Sequence, residues 1–359
     1  MKKKKVLISP LNWGLGHATR CIPIINFFLE KNWDVVIGAE DEGYTLLQQE
    51  FPHVEIIHLP GIKVNYSKNL PFALKVLVQL PDILIGIFQE HLRLQKIIKN
   101  YNIDLVVSDN RYGLWSKKVS SVFMTHQVHI IPPPSLKIFS SLILRMHLLF
   151  INRFNRLWIP DFENEPTISG KLTHPPVKEA SDYIGPLSRF VSFKSELKYD
   201  FCVVISGPEP QRSIFEDKVM ASLTGIGRKG VIIRGLPKNS EASAPSEHVI
   251  VFNHLDAGEM QKYLSASKMV ICRSGYSTIM DLMALKKPAV FVPTPGQTEQ
   301  EYLAQHLQGT SFEIISQKNF SIPDALKLSD SLNPPDTYPS TSLEETITKS
   351  LNKLKEQLS

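Results

Sequence analysis

Short apolar runs alternate with helix-period segments along this chain, and the alternation starts twice. Val6–Ser9 is short and apolar, and the segment after it sets Ala18, Cys21, Ile22, Ile25, Phe28 and Leu29 at helical spacing. Val35–Ile37 reads as a strand, Tyr44–Glu50 as a helix, and Val54–Leu59, Leu105–Ser108, Val122–Thr125 and Leu157–Ile159 as further strands. The pattern restarts with Phe201–Ser206, Val231–Arg234, Val249–Phe252, Met269–Cys272 and Ala289–Val292. Parallel strands must be joined by crossovers, and helical crossovers cover the sheet's faces, so the alternation predicts an α/β chain with parallel sheets. Two runs in 359 residues predict two Rossmann-like domains facing a central cleft, residues 1–188 and 189–359. The junction is placed at Gly185–Ser195, where a Gly-Pro pair breaks the pattern. Residues 236–247 read as a polar surface loop. Ser342 and Glu345 have capping-box spacing, and Leu343, Ile347, Leu351, Leu354 and Leu358 form one stripe of a last helix. That helix is expected to pack back on the first domain.

Composition narrows the class. Hydrophobic residues are 43% and charged residues 21%, which excludes a disordered chain, a coiled coil and a collagen-like fibre. Three scattered cysteines, Cys21, Cys202 and Cys272, exclude a disulfide scaffold and a cysteine-based zinc site and fit a reducing compartment. The apolar run after the N-terminal lysines ends at Ser9-Pro10, too soon for a signal peptide. No uninterrupted apolar stretch of about 20 residues predicts a membrane span. The expected location is the cytoplasm.

The net charge of +5 is uneven: residues 71–160 hold 11 Lys+Arg against 4 Asp+Glu. A basic N-terminal half suggests an anionic partner. Residues 70–88 are strongly apolar, and residues 135–158 mix bulky apolar side chains with Lys137, Arg145, Arg153 and Arg156. Basic plus bulky apolar on one helix suits an anionic membrane surface; the alternative is an ordinary buried helix whose basic residues reach solvent. No nucleic-acid reader motif is present.

Three strand ends could carry chemistry. Gly14 and Gly16 follow the first strand and precede His17. Glycines there let backbone approach a ligand, and the strand's C-terminal edge faces the crevice where α/β domains bind. His17 has the pKa range to take a proton from a hydroxyl, or it is a capping or core histidine. Ser206 and Gly207 make a small-residue turn that suits a phosphate, or a simple tight turn. At Cys272–Asp281, a strand gives way to Ser274-Gly275-Tyr276-Ser277 and a helix. Backbone N–H groups there could hold a diphosphate, and Asp281, one turn inside, could accept from ribose hydroxyls. No Asp-x-Asp pair occurs, so no metal site or cofactor is expected, and a leaving diphosphate would be met by helix dipole and basic side chains.

The segment S-G-Y-S-T-I-M-D…K-K-P-A-V-F-V-P…E-Q-E-Y resembles the nucleotide-sugar signature of GT-B glycosyltransferases, family 28 above all. The N-terminal G-L-G-H is similar to that family's glycine-rich loop, and Tyr183–Arg189 to its interdomain segment. The resemblance implies that His17 acts near the acceptor and that Arg189 lies at the domain junction. It implies that Ser206 and Gly207 face a phosphate and that His254 and Leu255 flank the uracil. Ser274, Gly275 and Tyr276 would form the diphosphate turn, Asp281 would stand for a ribose-binding Glu, and Gln300 and Glu301 for a sugar-binding Gln-Gln pair. Asp281 is one methylene short, Glu301 replaces an amide, SGPEPQR replaces a Gly-rich loop, and His126-Gln127 replaces a longer acceptor motif.

The leading expectation is an inverting, metal-independent hexosyltransferase. It would use a UDP-sugar and a hydroxyl acceptor that is lipid-linked or membrane-associated, acting as a peripheral protein on the inner face of the cytoplasmic membrane. His17 would be the base, with His126 and Asp109 next in line. Two alternatives stand beside it. Gly14 to Cys21 also resembles the UDP-sugar hydrolase of the pseudaminic acid pathway, with water as acceptor. The other is a non-catalytic nucleotide-sugar-binding protein.

Overall fold

The structure, a computed structural model, describes residues 3–62, 72–174, 180–193, 195–236, 242–336 and 342–356, without the side chains of 72–78 and 242–246. The chain divides into two compact units, Met1–Leu187 with Ser340–Ser359, and Ser188–Pro339.

The first unit carries β1 (Lys5–Pro10), α1 (Leu15–Glu30), β2 (Asp34–Ala39), α2 (Asp41–Glu50), β3 (Glu55–His58) and α3 (Phe72–Tyr101). After these come β4 (Leu105–Asp109), β5 (Ser120–Met124), α4 (Ser140–Ile151), β6 (Arg156–Ile159) and β7 (Ser181–Tyr183). The sheet order is β3-β2-β1-β4-β5-β6-β7, every pair parallel. Val6, Leu7 and Ile8 are fully buried at its centre because a parallel sheet is covered on both faces. The order reverses between β1 and β4, with Pro10 registered against Asp109. That is the switch point where open α/β sheets bind ligands. The apolar face of α1 is buried through Ala18, Cys21, Ile22, Ile25 and Phe28, whereas Leu29 is exposed.

The second unit repeats the plan with β8 (Tyr199–Val204), α5 (Gln211–Ala221), β9 (Gly230–Ile233), β10 (Ala242–Ser246), β11 (Val249–Phe252) and α6 (Ala257–Ser265). It continues with β12 (Ser267–Cys272), α7 (Tyr276–Leu285), β13 (Ala289–Phe291), α8 (Thr298–Leu307), β14 (Phe312–Ile314) and α9 (Ile322–Ser329). The order β10-β11-β9-β8-β12-β13-β14 is parallel except for β10 against β11, and it reverses between β8 and β12.

The expected surface loop 236–247 is corrected in part: residues 242–246 form edge strand β10, while 237–241 lie outside the described residues. An edge strand needs hydrogen bonding on one side only, so Ala-Ser-Ala-Pro-Ser serves without an apolar pattern, and its register shifts between Ser243 and Ser246.

The last helix, α10 (Leu343–Glu356), groups with the first unit. Ile347, Ser350 and Leu354 are its buried residues. Ser350 Oγ accepts from Trp158 Nε1 at 2.8 Å and donates to Asp182 at 2.6 Å, and Lys353 Nζ reaches Asp182 at 2.9 Å. Ser342 Oγ accepts from the Glu345 N–H at 3.3 Å, so the cap forms. Leu358 lies outside the described residues.

The basic-apolar stretch is also corrected. Arg156 is not on the helix: it is buried on β6 and binds Asp182 through Nε at 2.7 Å and Nη2 at 2.6 Å. Ile138, Phe139, Leu142 and Leu149 are exposed, as are Lys137, Arg145 and Arg153. On α3, Ile85, Phe88 and Leu92 form an exposed stripe at helical spacing. Pro134–Ile151, a 3-10 turn leading into α4, is 18 residues and by length and composition alone could cross a membrane.

Candidate active site

The first site sits at the switch point of the first sheet. Gly14 has φ +85°, a conformation other residues rarely adopt, and it starts α1. The first helical turn then carries His17, and the next position on the same face is Arg20. Opposite them, β4 ends in Asp109. His17 Nδ1 lies 2.9 Å from Asp109 Oδ2. Arg20 Nε lies 3.0 and 2.9 Å from the two carboxylate oxygens, and Arg20 Nη2 also binds Asp109 Oδ1. Arg20 Nη1 donates to His126 Nδ1 at 2.8 Å, and the Cys21 thiol is 3.8 Å from Asp109. Asp109 is fully buried, while the His17 side chain keeps 15% exposure.

The electrostatics follow from this packing. Burial alone would raise the Asp109 carboxyl, but Arg20 and His17 pull it down to about 2, so it is ionised at neutral pH. His17 is held below its usual value, first by burial and next by the Arg20 charge, which together outweigh Asp109. Its imidazole is therefore neutral at pH 7 and able to accept a proton. Arg20 Nη2 is also 2.7 Å from His17 Nδ1. The two contacts at Nδ1 demand opposite tautomers. With its proton on Nδ1, His17 donates to Asp109 and Nε2 offers a lone pair. With the proton on Nε2, Arg20 donates to Nδ1 and no base remains. The Asp109 anion favours the first.

Sequence reasoning singled out His17 and held Asp109 and His126 only as substitutes for it. The structure joins all three around Arg20, which was not singled out. The available signal was Asp109 itself, a carboxylate closing the apolar run Leu-Val-Val-Ser at a strand's C-terminal edge.

The second site lies at the switch point of the second sheet. Ser206 and Gly207 follow β8, with Gly207 at φ +113°, and Ser274 and Gly275 lead from β12 into α7. The Ser274 hydroxyl turns inward to the Gln300 carbonyl at 2.7 Å, and the Tyr276 ring is buried, so what these positions offer a ligand is backbone. Ser277 is partly exposed. Gln300 Oε1 accepts from the Thr294 N–H and Glu301 Oε1 from the Gly296 N–H, both at 2.9 Å. The expected sugar-binding pair thus braces the 294–297 turn.

Asp281 Oδ1 accepts from Ser188 Oγ at 2.6 Å. Burial raises its carboxyl to about 6, although Arg189 and Ser188 oppose the shift. Arg189 also donates to Met260 Sδ at 3.4 Å and lies over the Phe190 ring. His254 is partly buried and held low by burial and by the nearby Arg189, and Leu255 is buried beside it. Arg189, Asp281 and His254 therefore gather in one place. Among the described residues, no three of His, Cys, Asp and Glu come together to hold a metal ion.

Comparison with known proteins agrees with this geometry. Residues 236–358 match the glycosyltransferase family 28 C-terminal domain, and residues 5–130 match a glycosyl transferase family 1 model. The UDP-N-acetylglucosamine--N-acetylmuramyl-(pentapeptide) pyrophosphoryl-undecaprenol N-acetylglucosamine transferase of Buchnera aphidicola subsp. Schizaphis graminum is 24% identical over 350 residues, covering 93% of this chain and 90% of that one. The crystal structure of the kitacinnamycin glycotransferase superposes with a TM-score of 0.61 at 13% identity, over 99% of this chain and 96% of that one. MurG of Acinetobacter baumannii gives 0.53 at 13% identity, over 98% and 95%. Fold and matches place the chain among glycosyltransferases of the GT-B class. Within that class it is of the family 28 type.

Proposed function

We propose that the protein is an inverting, metal-independent glycosyltransferase that moves a sugar from a UDP-sugar to a hydroxyl acceptor. The observation that carries this reading is the 2.9 Å contact between His17 Nδ1 and the buried Asp109 carboxylate. It leaves Nε2 as the lone pair that takes the acceptor's proton. The acceptor oxygen attacks the anomeric carbon from the face opposite the diphosphate, so one displacement inverts the centre. UDP leaves with its charge met by the start of α7 and by Arg189, without a metal ion. Asp281 and the Ser274–Ser277 backbone serve the ribose and diphosphate, and His254 and Leu255 the base.

The acceptor is lipid-linked or membrane-associated, and the protein works as a peripheral protein on the cytoplasmic face. Two observations support this: the named acceptor of the Buchnera relative carries undecaprenol, and exposed apolar side chains occur on α3 (Ile85, Phe88, Leu92) and along the segment 137–153 (Ile138, Phe139, Leu142, Leu149), which also exposes Lys137, Arg145 and Arg153.

The test is UDP release from a panel of UDP-sugars, with and without a lipid extract and with EDTA present throughout. Release that needs the lipid and tolerates the chelator is expected. Equal release without lipid would make the protein a hydrolase, and loss in EDTA restored by magnesium would make it metal-dependent.

A further inference from the structure

Behind the second site lies a charge with no counter-ion. Arg273 is 1% exposed at the end of β12 and makes no ion pair among the described residues. Its guanidinium instead donates to oxygens of three segments: Val292 at 2.8 Å, Gln211 at 2.8 Å and the Gln317 side chain at 2.6 Å. Its Nε is 3.4 Å from the Ser206 carbonyl, and the group lies over the Phe215 ring. A buried cation held only by neutral oxygens leaves a positive potential at the sheet edge.

Thr294 stands next to it. The residue is 3% exposed, its hydroxyl has no hydrogen-bond partner among the described residues, and its backbone N–H is already bound by Gln300 Oε1. A buried hydroxyl left unsatisfied is destabilising, because its hydrogen bonds to water are lost and not replaced. Gly207 joins the two groups: a Cβ built on it would lie 3.6 Å from Thr294 Oγ1 and 3.8 Å from Arg273 Nε. Its φ of +113° also keeps that position a glycine. The hydroxyl and the guanidinium thus flank the side of Gly207 that carries no substituent.

We propose that Thr294 is a phosphate-binding residue, whose hydroxyl donates to a diphosphate oxygen seated against Gly207 in the field of Arg273. The inference rests on the nucleotide reading above and adds to it a residue from the β13–α8 turn. Arg273 acts as a positioning residue: it ties the Ser206, Gln211 and Val292 segments together and supplies the field without reaching the ligand. The phosphate supplies the hydroxyl's missing acceptor, and its anion balances the buried cation.

Thr294→Val keeps the shape and deletes the donor. Binding of UDP, inorganic pyrophosphate and uridine is measured by calorimetry or ligand-observed NMR, together with the melting temperature of the free protein. The expected result is a fall of about tenfold or more in affinity for UDP and pyrophosphate, uridine binding unchanged, and a melting temperature equal to or above wild type. Unchanged UDP affinity in the variant overturns the assignment and leaves the nucleotide reading standing. A lower melting temperature with all three ligands weakened alike also overturns it, since the hydroxyl is then structural. Wild type that binds pyrophosphate but not UDP sinks the nucleotide reading and keeps the phosphate site. Wild type that binds neither sinks both.

Discussion

Replacing Asp109 by asparagine separates the tautomer argument from fold stability. The substitution keeps the shape and removes the charge. Arg20 donates to the Oδ1 position through Nε and Nη2 and so holds the asparagine oxygen there, which turns the amide N–H toward His17 Nδ1, and Arg20 Nη2 already offers Nδ1 a second donor from 2.7 Å. Both leave Nδ1 an acceptor, so the proton moves to Nε2 and the base is lost. A general base contributes about 10²–10⁴-fold, and kcat should fall by that factor, about 3–5 kcal/mol of barrier. Stability should fall as well. The carboxyl sits at about 2 in the fold against an ordinary 3.8, which stabilises the protein by roughly 2 kcal/mol at pH 7. That contribution is present above pH 4 and is lost as pH falls through about 2. The variant forfeits it and strands Arg20, itself only 1% exposed, for a total of about 3–5 kcal/mol. The assay is kcat for UDP release well below the variant's melting temperature, with a melt on the same sample. UDP affinity should hold, because the nucleotide is assigned to the other unit. His17→Ala should give a similar kcat loss with little change in melting temperature, and the double variant should be no slower than either single one. A folded Asp109→Asn protein with kcat within about threefold of wild type would refute the tautomer argument.

Two further outcomes follow from the surface and from the second unit. Changing Lys137, Arg145 and Arg153 to glutamine should weaken sedimentation with anionic liposomes, by roughly 1 kcal/mol per charge removed, and high salt should do the same. Arg156→Gln should instead lower the melting temperature, since Arg156 pairs with Asp182 inside the fold; wild type that ignores such liposomes would point to a soluble acceptor. Asp281, raised to about 6 from 3.8, destabilises the fold fully above pH 6 and progressively less as pH falls from 6 toward 3.8, so Asp281→Asn should stabilise the free protein by up to about 3 kcal/mol at pH 8 and by about half that at pH 5. Equal melting shifts at both pH values would remove that reading.

Much of the architecture was legible in the chain itself. Buried parallel strands are short apolar runs between helix-period segments, and from Val6–Ser9 to Ala289–Val292 each such run became a strand within a residue or two. The strands left unread, Ser181–Tyr183, Ala242–Ser246 and Phe312–Ile314, lie at sheet edges, where one-sided pairing needs no apolar code. Local sequence also placed glycines and polar residues at the strand ends that flank the two reversals of strand order. What those residues do was decided by contacts across long sequence separations. His17 meets Asp109 because β1 and β4 are neighbours at the reversal of strand order, 92 positions apart in the chain. Arg156 looked like a surface charge until β7 brought Asp182 beside it, and Gln300 and Glu301, expected as sugar ligands, each also hold an N–H of the 294–297 turn through one side-chain oxygen. Periodicity records which face of an element is buried. The partner of a buried charge, and with it the tautomer of a histidine, is fixed only when strand order sets two distant residues side by side.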